Sequence, residues 1–147
     1  MNKRIEKVVD RLILAQNIYN QLVTSSQRDR VREIFNDLLS HKVKLLAELS
    51  EVSGIDLDQY NMSRQEMMEL KLAKIRIEIN DLLTRDRYWE SINFSIVREN
   101  KLINVYKKAL KTCKNQALCE LLESHSLELE DSLKKLVLAT ELNDLKN

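Results

Sequence analysis

Residues 29–54 read DRVREIFNDLLSHKVKLLAELSEVSG, and their pattern extends to most of the chain. Val31, Ile34, Phe35, Leu38, His41, Leu45, Leu49 and Val52 recur at three- and four-residue intervals. A helix places them on one face and leaves the other to charged and amide side chains. Gly54, the only glycine among 147 residues, stands where a left-handed residue would end that helix, and Ile55 follows to supply the usual apolar contact. Ser26, three residues before Asp29, resembles a capping box at its start.

Upstream, Ile5, Val8, Leu12, Tyr19 and Leu22 describe a first helix, stopped by Thr24, Ser25 and Ser26. Downstream, residues 55–62 are polar and irregular, and Ser63 with Glu66 forms a capping box for a third helix carrying Met68, Leu72, Ile75, Ile79 and Leu82. Continuous helix from Ser63 to Cys113 would run about 75 Å, too long for this mass, so a break is expected near Thr84–Arg87, with Asp86 capping the restart. The fourth stripe is Trp89, Ile92, Ile96, Glu99, Ile103, Tyr106 and Leu110. After a turn at Lys114, Asn115 and Gln116 the fifth is Leu118, Leu122, His125, Leu129, Leu133 and Leu136. With no proline in the chain, the expectation is an all-α single domain of five helices. Residues 2–53 form one hairpin, 54–86 a crossover holding a helix, and 87–142 a second hairpin.

The two hairpins share a pattern. Asn17-Ile18-Tyr19 parallels Asn104-Val105-Tyr106, and Leu38, Ser40, His41, Leu45 and Leu49 parallel Leu122, Ser124, His125, Leu129 and Leu133. His41 and His125 are the only histidines. Glu99, Tyr106 seven residues on, a short turn and then His125 on a leucine-rich helix resemble the rubrerythrin-like hairpin of the ferritin-like superfamily. The resemblance is strongest over residues 89–136 and extends to residues 5–54. It implies a four-helix bundle of two related hairpins with the extra helix in the crossover connection.

The resemblance also implies a di-iron centre, built from one glutamate on each of two helices and a Glu-x-x-His on each of the others. His41, His125 and Glu99 match that set, whereas Leu12, Leu38 and Leu122 occupy the remaining carboxylate positions. Two irons in a low-dielectric core need more negative charge than one carboxylate supplies, so no di-iron chemistry and no enzyme are expected. A single zinc or iron ion on His41, Glu99 and His125 is the chemically reasonable remnant. Against it stands a metal-free polar cluster of Tyr19, His41, Glu99, Tyr106 and His125, each group satisfying another's buried polar atoms. The plainest alternative leaves both histidines partly buried and titrating normally.

The other signals are weaker. Charges of both signs, 24 basic and 23 acidic, are interspersed along the chain, so neither nucleic acid nor an anionic membrane is implied. No apolar run is long enough to span a bilayer, and the N-terminus is amphipathic rather than signal-like, so a cytoplasmic location is expected. Cys113 and Cys119 lack Cys-x-x-Cys spacing and read as reduced, partly buried thiols, with a disulfide stapling the turn between them as the alternative. Met67, Met68, Ile75, Ile77 and Ile79 make the third helix apolar around more of its circumference than one bundle face uses. That points to a homodimer through this helix and the Trp89 region. The functions that follow are a structural or protein-interaction module, a single-metal protein, or a helical chaperone or adaptor gripping a partner's amphipathic helix.

Overall fold

Asn2 opens the first helix by accepting the Arg4 amide on its Oδ1 at 2.8 Å, so the chain turns helical almost at once. The computed structural model describes residues 2–83 and 88–141, and of residues 80–83, 88, 89 and 141 the backbone only. These residues form an all-α bundle: α1 (Lys3–Ser25), α2 (Asp29–Ser53), α3 (Arg64–Leu83), α4 (Tyr88–Thr112) and α5 (Gln116–Glu141). The expected break at residues 84–87 and the Asp86 cap lie outside the described residues.

Three joints show how local chemistry sets the helix ends. Gly54 has φ 74°, the left-handed conformation, and Ile55 folds in behind it, donating its amide to the Ser50 carbonyl at 3.1 Å. At the head of α3 the Glu66 amide donates to Ser63 Oγ at 3.4 Å, the first half of a capping box, and the Ser63 hydroxyl, rather than its amide, donates to the Glu66 carboxylate. The box expected at Ser26 does not form. α2 begins from Arg28 without a side-chain cap, and Ser26 instead closes α1, its amide donating to the Leu22 carbonyl at 3.0 Å. Arg32 then reaches back to the Ser26 carbonyl at 2.9 Å, holding the tight connection from the other side.

α1 packs on α2, α3 and α4, and α5 packs on α4 and α2, so α1, α2, α5 and α4 close a ring. Two core clusters reveal the directions. Ile5, Val8, Val9 and Leu12 meet Leu45, Leu46 and Leu49 of α2, Leu102, Ile103 and Tyr106 of α4, and Leu122 and Leu129 of α5. At the other end Ile18, Tyr19 and Leu22 meet Val31, Phe35 and Leu38, Ile92 and Leu136. The start of α1 therefore lies beside the end of α2, the end of α4 and the start of α5, making α1 antiparallel to α2 and α4. Burying each of these leucines and isoleucines contributes roughly 1.5–3 kcal/mol.

α3 lies outside the ring against α1 and runs in the same direction. Its head is tied by the Lys7–Glu66 ion pair, its middle by Glu69 to Arg11 of α1 and Arg98 of α4, and its tail by Ala73 and Ile77 in the second core. Burial raises the Glu69 carboxyl pKa, but the two guanidinium groups outweigh it and hold the group below its ordinary value. α3 thus carries the chain back along the bundle, so that α4 starts at the end where α2 started.

Candidate functional site

α2 presents Leu38, Lys42, Leu45 and Leu49 to the interior at four-, three- and four-residue steps, and Lys42 is as buried as the leucines beside it. Facing it from α4 is Glu99, also wholly buried, with Oε1 2.6 Å from Lys42 Nζ. The other carboxylate oxygen accepts the Tyr19 hydroxyl from α1 at 2.7 Å. Three helices thereby meet in one charged cluster at mid-height of the bundle. Lys42 Nζ also lies 5.7 Å from the Tyr19 ring centre and 3.2 Å from His41 Nδ1, to which it donates.

A second cluster forms between α4, α5 and α2. Tyr106 Oη is 2.8 Å from His125 Nδ1, and the two rings meet edge to face with centres 5.6 Å apart. His125 Nε2 is 3.2 Å from Glu48 Oε1 of α2. Glu128, one turn along α5 from His125, pairs with Lys44 at 2.7 Å. Glu48, His125 and Glu128 each offer a ligand atom within 4.8 Å of the others.

The electrostatics of the two clusters differ. Burial raises the Tyr19 hydroxyl pKa far above its ordinary value, and the Glu99 charge adds to the effect, so Tyr19 remains a donor. Burial pulls Lys42 down, opposed by the attraction of Glu99. His41 is lowered to about 4, first by burial and then by the neighbouring Lys42 ammonium. His125 is lowered by burial against the pull of Glu48, and Tyr106 is raised by burial. A neutral His125 whose Nδ1 accepts from Tyr106 carries its proton on Nε2 and donates it to Glu48.

The five residues expected in one polar cluster are divided between two. Tyr19 and Glu99 share the first with His41 at its margin, and Tyr106 and His125 share the second. His41 is half-buried, as the plainest alternative expects, whereas His125 is buried, and burial lowers the pKa of both, which departs from the normal titration that alternative assumes. Among the described residues His41, Glu99 and His125 do not form a group whose ligand atoms could share one ion, and Glu99 faces Lys42 and Tyr19 instead. The di-iron donor set does not fit either, since Leu12, Leu38 and Leu122 are buried apolar side chains and a lysine sits against the remaining carboxylate.

Lys42 and Glu48 were missed in the sequence. Lys42 carried a signal, because it falls four residues after Leu38 and three before Leu45, within the inward row. Glu48 carried none. The two cysteines are also corrected: Cys113 and Cys119 form a disulfide across the α4–α5 turn, their Cα atoms 5.7 Å apart and within ordinary bridging range. Asn115 shapes that turn by accepting the Leu118 amide at 3.1 Å.

No protein-family model matches the chain, and no curated protein and no solved structure is significantly similar to it.

Proposed function

We propose that the chain is a non-catalytic ferritin-like bundle in which a lysine ammonium has replaced the metal charge, and that it serves as a structural or protein-interaction module. The single observation carrying this is the Lys42–Glu99 pair, 2.6 Å apart and wholly buried where the resemblance would place a metal ligand. An internal cation that is part of the chain neutralises the remaining carboxylate permanently, which a dissociable ion does not. Two hairpins in a closed ring, with α3 spanning the crossover between them, support the ferritin-like part of the reading. The outward apolar row of α3 supports the interaction part. Among the described residues no helix is long and apolar enough to cross a membrane.

A second reading is favoured by the cluster of Glu48, His125 and Glu128, whose two carboxylates and one imidazole would neutralise and bind a divalent ion such as zinc if Lys44 released Glu128. With an ion on Nε2 the imidazole would carry its proton on Nδ1 and donate it to Tyr106 Oη, the reverse of the metal-free arrangement and the bond that metal-bound histidines make to their outer partners. Elemental analysis of the purified protein, with a zinc titration by calorimetry, separates the readings. The expected result is no stoichiometric metal that depends on Glu99. One ion per chain lost in Glu99→Gln overturns the lysine-substituted reading. One ion lost in Glu48→Gln and His125→Ala but retained in Glu99→Gln establishes the second.

A further inference from the structure

α3 has two apolar rows, and the fold uses only one. Leu70, Ala73 and Ile77, continuing the line of the buried Glu66, face the bundle, with Ala73 and Ile77 buried. Met68, Leu72, Ile75 and Ile79 also repeat at four-, three- and four-residue steps, but they are 66, 62, 52 and 48 % exposed. Met68 follows Glu66 by two residues, which on a helix is a rotation of about 200°, so the second row points directly away from the bundle. Isolated exposed apolar side chains are ordinary. Four in heptad spacing on one helix form the seam of a coiled coil that lacks its partner strand.

The flanking charges identify the partner and its direction. Lys71 and Glu78, both exposed, border the row on one side, and Glu69 and Arg76 border it on the other. If two copies of α3 pair antiparallel, Leu72 of each lies over Ile75 of the other and Met68 over Ile79. Lys71 then faces Glu78 of the second copy, twice by symmetry. Parallel pairing would instead set Lys71 against Arg76, like against like. Glu69 is already held by Arg11 and Arg98, and Arg76 lies over the Phe94 ring at 5.3 Å, so Lys71 and Glu78 are left to decide the orientation.

We propose that α3 pairs antiparallel with α3 of a second copy of this chain, about a two-fold axis passing between Leu72 and Ile75. This rests on reading the chain as an interaction module and names the partner. The seam is two heptads long, which makes a reversible rather than an obligate dimer. An apolar row bordered by both signs of charge suits a copy of itself better than an anionic lipid surface, which attracts basic flanks.

Sedimentation equilibrium on the full chain tests the pairing. The wild type is expected to approach twice its 17.3 kDa mass as concentration rises. Leu72→Glu weakens association at least 100-fold with an unchanged thermal melt, because Leu72 is exposed within one chain. Lys71→Glu weakens it about 5- to 10-fold by opposing Glu78, and Lys71→Glu with Glu78→Lys restores it. A wild type that stays monomeric, or a Leu72→Glu variant that still doubles in mass, overturns the proposal. Tighter association in Lys71→Glu overturns the antiparallel geometry, since only parallel pairing sets that residue against Arg76. Failure here leaves the metal content and the Lys42–Glu99 ion pair untouched, so it is distinguishable from failure of the internal-lysine reading.

Discussion

Tyr19 and Tyr106 end similar Asn-x-Tyr stretches on α1 and α4, yet they bond in opposite directions. Tyr19 leaves its own hairpin and donates across the bundle to Glu99 of α4. Tyr106 stays within its hairpin and meets His125 on α5. The residue opposite decides. Glu99 stands seven residues before Tyr106, and Leu12 seven before Tyr19, so Tyr19 finds a carboxylate across the interface while Tyr106 lies in the apolar cluster that holds Leu12. A buried hydroxyl must still be satisfied, and Tyr106 takes the nearest acceptor, the imidazole of its own hairpin. One glutamate on one side thus gives the two hairpins different polar interiors. The first holds formal charges balanced inside the protein, and the second is neutral in the core with its charges, Glu48, Glu128 and Lys44, toward the surface.

The largest test of that contrast is removal of one charge. Glu99→Leu leaves Lys42 buried without a counterion and is expected to destabilise the fold by about 3–5 kcal/mol in urea denaturation. Glu99→Leu with Lys42→Met is expected to recover most of the loss. A double variant as unstable as the single one would show that the first cluster is not an ion pair in the sense drawn here. Smaller and more diagnostic is the tyrosine pair. Tyr19→Phe removes a bond to a charged acceptor, at about 1.5–3 kcal/mol, whereas Tyr106→Phe removes one to a neutral ring, at about 0.5–1.5 kcal/mol. Equal losses at the two sites would erase the distinction.

Acid supplies the smallest effect over the first pH unit below neutrality. Both histidines have folded values below their ordinary one, His41 at about 4, so the unfolded chain binds protons first as pH falls through about 6.5. The histidines' contribution to stability is complete above that pH and declines as pH falls toward 4. Denaturation series at pH 7, 6 and 5 should show the decline, and His41→Gln should shallow it. A flat profile would mean that His41 is as solvated folded as unfolded.

Much of the fold was legible in the chain. The periods of α1, α2, α4 and α5, the left-handed Gly54 and the Ser63–Glu66 box depend on neighbours within a turn or two, and local periodicity records such relations. Ser26 misled because serine, as a short side chain next to free backbone groups, serves equally at the end of α1 and the start of α2. The site was half legible. Tyr19, Glu99, Tyr106 and His125 all lie in polar cores, but their partition depends on which helices adjoin, and that is a property of packing rather than of spacing.

The sequence by itself determined that this chain is helical and where four of its turns and caps fall, because those facts reside in residue type and interval. Tertiary structure alone decided that Lys42 turns inward to Glu99, that Glu48 approaches His125 from 77 residues away, and that Cys113 reaches Cys119. Each is a pairing between groups whose distance in space the chain does not record. The strength of a buried charge depends on that distance and on the exclusion of water, both of which arise only when the helices close on one another.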